Sequence, residues 1–336
     1  MTIETSSWVG EMAAQGHRIL QFWREHVVLP DGSFHGRIAR GGVIDAGAPR
    51  SLVIATRILW TFSRAVNSGF ADTAEHRLIA DRTYTYLTRH YWDVEHGGFY
   101  WSLGPDDRPL DESKHVYGQA FALFALAEYY AVTRRDDVLE MAQATYTLLE
   151  DKAADQEHEG YLEAFSRQWE WDSQCVRQGI NHDGLPKSMN THLHMLEAYT
   201  RFYEVWPNDQ LKSLLEALLA ILTTLVVDGN SQHFRLFFAR DWTLHGDVVS
   251  YGHDIEGSWL MLEAAHALND AGRIRTCEDL AVRMVEAVLE HGCSADHGVM
   301  NEGRAGEIID SDVHWWPQAE GIVGCVNAYQ VTQDTR

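Results

Sequence analysis

Apolar positions recur along this chain at i, i+3, i+4 and i+7 in ten long runs, the spacing that gathers them on one helix face. The runs span 8–27, 50–67, 73–91, 113–132, 136–150, 187–206, 209–226, 252–270, 274–291 and 313–330. Strand-like alternation is short and confined to the connections, so the predicted class is all-α. Two kinds of run alternate. The fourth contains Gln119-Ala-Phe-Ala-Leu-Phe-Ala-Leu-Ala127, apolar all round, as a buried helix is. The fifth is introduced by Arg134-Arg-Asp-Asp137 and keeps a charged face. Even-numbered runs follow the first pattern and odd-numbered runs the second. This predicts an inner ring of buried helices inside an outer ring: an (α/α) barrel.

An internal repeat supports that reading. A turn of Gly or Asp followed by an aromatic residue recurs as Asp31-Gly-Ser-Phe-His-Gly36, His96-Gly-Gly-Phe-Tyr100 and Glu159-Gly-Tyr161, with a weaker copy at His297-Gly-Val299. Polar anchors recur at Arg57, Tyr117, His194, His253 and Trp316, with separations of 60, 77, 59 and 63. A unit of that length holds a helical hairpin, which cannot bury its apolar face alone and must stack on its neighbours. Ten helices make five hairpins, and a closed toroid of this kind has six. The expectation is an (α/α)6 barrel whose sixth hairpin is absent from this chain, with 1–336 as a single catalytic domain incomplete at its C-terminal end. No Pro/Gly/Ser-rich linker interrupts it.

The apolar helices all admit polar residues near their starts. They are Arg57 on the first, Lys114 and Tyr117 on the second, and Asn190 and His194 on the third. His253 and Glu256 follow on the fourth, Trp316 and Glu320 on the fifth. Polar groups on buried helices are costly without partners. Five helices making the same exception at the same end predict a shared polar pocket. In Ser250-Tyr-Gly-His-Asp-Ile-Glu256, an imidazole and a carboxylate stand three residues apart, on one face, in outline a proton-transfer pair. Taken singly, each residue also has a structural reading: Arg57 with Glu256 as a buried ion pair, Trp315-Trp316 as core. The pair His192-Leu-His194 looks like a chelate, but i and i+2 diverge on a helix, and no metal site is expected. No GxSxG, GxGxxG or P-loop occurs.

Charge narrows the partners. Asp and Glu number 49 against 27 Lys and Arg, a formal net charge of -22, which opposes nucleic acid and anionic membranes. No apolar run is long enough to span a bilayer, and the first residues lack a signal-peptide pattern. Four cysteines, Cys175, Cys277, Cys293 and Cys325, have no CxxC spacing. They are expected as reduced, mostly buried thiols of a cytoplasmic protein. Twelve Trp and 13 Tyr supply either a large aromatic core or faces for sugar rings.

Six segments in order carry a resemblance. They are Thr56-Arg-Ile-Leu-Trp-Thr-Phe-Ser63, Tyr117-Gly-Gln-Ala-Phe-Ala122, Glu163-Ala-Phe-Ser-Arg-Gln-Trp169, Met189-Asn-Thr-His-Leu-His-Met-Leu-Glu-Ala-Tyr199, Ser250-Tyr-Gly-His-Asp-Ile-Glu256 and His314-Trp-Trp-Pro-Gln-Ala-Glu320. Together they resemble the N-acylglucosamine 2-epimerase superfamily, most closely its cellobiose 2-epimerase branch. The resemblance implies an (α/α)6 barrel, no cofactor, and inversion at C2 of a reducing-end sugar. It implies that His253 is one of two acid/base histidines, with Glu256 beside it. It also implies that Arg57, Tyr117, Asn190, His194, Trp316 and Glu320 hold the sugar. Family members carry the second histidine on a further hairpin; no residue up to Arg336 matches it. The expected partner is a small disaccharide or monosaccharide, and the expected state a monomer or weak homodimer. Mannose 2-epimerisation or aldose–ketose isomerisation through the same enediolate is the near alternative. An (α/α)6 glycoside hydrolase needs opposed carboxylates roughly 6.5–9.5 Å apart for inversion, for which Glu256 and Glu320 are the candidates. A catalytically inactive sugar-binding protein is the remaining class.

Overall fold

The computed structural model describes residues 5–70, 73–179 and 183–334; the first four residues, where no signal peptide is expected, and the last two lie outside them. All ten predicted helices are present: α1 (Thr5–Phe22), α2 (Leu52–Asn67), α3 (Thr73–His90), α4 (Val116–Thr133), α5 (Asp136–Leu148), α7 (Met189–Val205), α8 (Asp209–Ile221), α9 (Tyr251–Leu268), α10 (Ala271–His291) and α11 (Trp315–Thr332). A short helix that the periodicity does not signal, α6 (Ser173–Gln178), joins them. Its six residues are too few to display a 3.6-residue period; it is started by Asp172, whose carboxylate accepts from the Gln174 N–H. Helices α1, α5 and α8 each run on into a five-residue π turn, at Trp23–Val27, Leu149–Ala153 and Leu222–Val226.

The contacts fall into two compact units. The first comprises Met1–Lys114, Phe121–Leu148 and Ser166–Glu170; the second His115–Ala120, Leu149–Phe165 and Trp171–Arg336. In the first, α2 packs on α3 and buries Leu52, Ala55, Leu59 and Phe62. In the second, α9 packs against α7, α10 and α11. Tyr251 and Ile255 from α9 close a core with Val285, Val288 and Val299. The far side of α11 leaves Trp315, Ile322, Val323 and Val326 exposed, Trp315 at 78%, so Trp315 is not a core residue. Of the cysteines only Cys277 is buried; the other three are half-buried free thiols, fewer buried than expected.

The repeated turn is a structural unit. Short antiparallel bridges close it at Val28 with Phe34, Trp92 with Phe99, Ala154 with Tyr161, Val227 with Phe234 and Cys293 with Val299. Each brings the chain back through a left-handed residue, such as Gly160 at φ 72° or His297 at φ 64°. A Cβ on Gly160 would stand 2.6 Å from His192 Nε2, so that position requires glycine. The strand that follows takes up the first N–H of an apolar helix. Leu52, Val116, Met189 and Tyr251 donate to the carbonyls of Trp101, Glu163, Leu236 and Asn301. These bonds satisfy N–H groups that a helix start leaves without intrahelical partners, and they fix where each helix begins.

A buried ionic clamp occurs twice behind these starts. Lys114 Nζ lies 3.2 Å from Asp93 and 4.3 Å above the Tyr100 ring, and Arg167 donates to the same carboxylate at 2.9 Å. Lys187 Nζ lies 3.0 Å from Asp155 and 4.7 Å above the Trp242 ring, with Arg240 at 3.1 Å. Lys114 therefore belongs to the scaffold. It precedes α4 and is fully buried against Asp93, whereas sequence spacing groups it with the pocket residue Tyr117.

Candidate active site

The helix starts set a common register. The second residues of α4, α7 and α11 are Tyr117, Asn190 and Trp316, and the sixth residues of α2, α7, α9 and α11 are Arg57, His194, Glu256 and Glu320. Positions two and six lie four residues apart and share a face. Of the eight predicted site residues only His253, third on α9, stands off these two positions. The sequence anchors mix the two positions, which is why their separations scatter.

Seven of the eight lie in the second unit, and several touch. The Tyr117 and His194 rings meet edge to face at 5.1 Å. His194 Nδ1 lies 3.0 Å from Glu197 Oε2, and its Nε2 stands 4.0 Å from Glu256 Oε1. His194 is thus held by Glu197 and faces a second carboxylate, Glu256. The His253 ring lies 4.7 Å from the Trp316 ring. Gly252 makes room for that indole, since a Cβ there would come within 2.5 Å of it. Glu320 accepts from Trp259 Nε1 at 3.0 Å. Asn190 Oδ1 is buried with no hydrogen-bond partner, an acceptor costly to leave unmatched unless a ligand donates to it. Arg57 is described within the first unit: its exposed guanidinium lies 4.5 Å over the Phe121 ring.

His253 is the group whose chemistry is most shaped. Burial, then the nearby His194, push its imidazole down to about 3, so it is neutral at physiological pH and carries a lone pair able to accept a proton. Its Nδ1 is 2.7 Å from Ser250 Oγ. When Nδ1–H donates to that hydroxyl, the Nε2 lone pair is left as the proton acceptor. Ser250 is the residue the sequence reading passed over. At α2 and α7 the capping Ser51 and Ser188 hydroxyls accept from the third residue of their helices. Ser250 stands at the same place before α9 but makes no side-chain cap bond; its hydroxyl is turned to His253. Serine at the same place before α2 and α7 hides this role. Glu197 stands three residues after His194, the spacing that singled out His253 and Glu256, and could have been found by it; nothing in the spacing of Trp259 marks it.

His192 does not join His194. Its Nε2 accepts from the Tyr161 N–H at 2.9 Å, and burial lowers it to about 4. Among the described residues, three side chains placed to share an ion occur at Asp310, Asp312 and His314, none of them a predicted site residue.

The model of the N-acylglucosamine 2-epimerase (GlcNAc 2-epimerase) family matches residues 32–336. The chain belongs to that family. It is 38% identical to a cellobiose 2-epimerase of Bacteroides fragilis, over 94% of this chain and 80% of that one. It is 33% identical to one of Dictyoglomus turgidum, over 94% and 79%. The solved structure of cellobiose 2-epimerase from Bacillus thermoamylovorans B4167 superposes with a TM-score of 0.87 at 32% identity, covering 97% of this chain and 84% of that one. This family member has the fold class of those enzymes, the (α/α)6 barrel, and is a sugar epimerase and hence an isomerase. Among the described residues no helix is long and apolar enough to cross a membrane.

Proposed function

We propose that this epimerase acts at C2 of the reducing-end glucose or mannose of a β-1,4-linked disaccharide of the cellobiose type, through an enediolate. The carrying observation is His253: a neutral imidazole, held through Nδ1 by Ser250, with Nε2 available and Trp316 against its ring. The open-chain sugar presents a C2–H made acidic by the C1 aldehyde. Nε2 takes that proton, the C2–H electron pair moves into a C1–C2 double bond, and the negative charge collects on O1. Reversal returns a proton to C2. His194, held by Glu197 and facing Glu256, is placed to donate to a developing oxyanion, and Asn190 Oδ1 to accept from a sugar hydroxyl. For Arg57 the resemblance, rather than a neighbour in its own unit, supports a role on the sugar. The resemblance gives the second face of C2 to another histidine.

Incubation in D₂O with cellobiose, followed by NMR, tests this. Deuterium at C2 of recovered cellobiose reports removal and return on one face; deuterium at C2 of the epimer reports inversion. Deuterium at C1 of a ketose, free glucose, or no change each removes the proposal in favour of isomerase, hydrolase or binding protein. Ser250→Ala is expected to lower kcat about tenfold with KM little changed, because one hydrogen bond orienting the base is lost. Steady-state kinetics on cellobiose check it.

A further inference from the structure

Four carbonyls receive the first N–H of an apolar helix, and they belong to Trp101, Glu163, Leu236 and Asn301. An ionisable side chain occurs at this place in one repeat, at Glu163. Its backbone holds the start of α4 through the Val116 N–H at 3.0 Å. Its carboxylate holds the start of α7: Ser188 Oγ donates to Oε2 and Thr191 Oγ1 to Oε1, both at 2.8 Å. Ser188 Oγ in turn accepts from the Thr191 N–H at 3.1 Å. The side chain is 2% exposed. One residue therefore ties down the starts of the two helices that carry Tyr117, Asn190 and His194.

We propose that Glu163 is a positioning residue whose carboxylate sets the first turn of α7, so that its protonation releases that turn and weakens the site. This rests on the epimerase reading for its effect on turnover but not for its effect on structure. The hydrogens decide the sign. An ionised carboxylate accepts both hydroxyl protons. A protonated one brings a third hydrogen into a cluster built to receive two, so one donor is stranded or one hydroxyl turns away. Burial drives Glu163 up to about 7, opposed by the Ser188 and Thr191 hydroxyls, which places the change inside the working range. The titratable neighbours do not replace it. Lys187 before α7 is paired with Asp155, and burial lowers His192 to about 4. Tyr161 Oη donates to Glu150, and His115 lies against Gly179.

The test pairs Glu163→Gln with Thr191→Val. The Gln variant keeps the shape but is fixed in the one-acceptor state. Its kcat is expected to be roughly tenfold below wild type at pH 8, with the wild-type fall near pH 7 gone. The Asn190 side-chain amide, which does not titrate, is followed by NMR from pH 5 to 9. It is expected to show a transition in wild type that is missing in Glu163→Gln. Thr191→Val removes one donor to the charged form, and is expected to raise the midpoint by about one pH unit. A wild-type-like amide transition in Glu163→Gln, or an unmoved midpoint in Thr191→Val, overturns the assignment. So does a loss of kcat equal at all pH values and accompanied by a lowered melting temperature. Absence of C2 exchange in wild type overturns the sugar reading alone, because the amide signals still decide Glu163.

Discussion

His253→Asn is expected to lose C2–deuterium exchange by about 10²–10⁴-fold, the usual contribution of a positioned acid–base group. Asparagine fills similar space at the start of α9 and can still meet Ser250, so the far-UV helical signal should not change. The pH dependence carries the same information. A base works only when unprotonated, and with the His253 imidazole pushed down to about 3, its own limb lies far into acid. The His253 imidazole itself should therefore contribute no fall in activity near neutral pH, in wild type or in Glu163→Gln. Exchange retained in His253→Asn, measured by NMR in D₂O, would take this residue out of the mechanism.

Asp93→Ala is expected to destabilise the protein by about 3–5 kcal/mol at neutral pH, the cost of leaving a buried charge without its partner. Lys114 would keep the Gly98 carbonyl at 3.3 Å, with Arg167 nearby as a second cation and no anion between them. Burial already holds the Lys114 ammonium down to about 8 despite Asp93. Without Asp93 the unfolded chain binds that proton more firmly than the folded one. The variant's stability should then rise with pH until the unfolded lysine titrates near 10. Wild type shares that alkaline rise, because its Lys114 is also held below the ordinary lysine value, and adds an acid limb of the same sign. Asp93 is held well below the ordinary carboxylate range by Arg167, the Glu95 N–H and Lys114, which outweigh its burial. Its contribution is present above the unfolded value near 4 and lost as pH falls further. Guanidinium midpoints across pH 3–10 for both proteins check each sign.

What the sequence made legible follows from what periodicity measures. Amphipathic spacing found the ten long helices because each has several turns in which to show its face. It could not place their first residues, because those are fixed by bonds from distant carbonyls such as Glu163 O to the Val116 N–H. Lacking the starts, it mixed positions two and six and grouped Lys114 with Tyr117. A lysine at a helix entrance reads as a pocket cation until Asp93, 21 residues earlier, is seen beneath it. Ser250 shows another limit. Its neighbours in the repeat, Ser51 and Ser188, are ordinary caps, and only the direction of one hydroxyl separates it from them.

The common register has a consequence for how such a protein can change. The clamps of Asp93 with Lys114 and Asp155 with Lys187 carry the mechanical load behind the helix starts, whereas positions two and six of α2, α4, α7, α9 and α11 take no part in them. Apart from Gly252, which the Trp316 indole crowds, and the core residue Phe121, substitutions at those positions can alter what each helix presents while the clamps stay in place. Selection can therefore change the polar side chains at these starts one at a time without first loosening the clamps behind them.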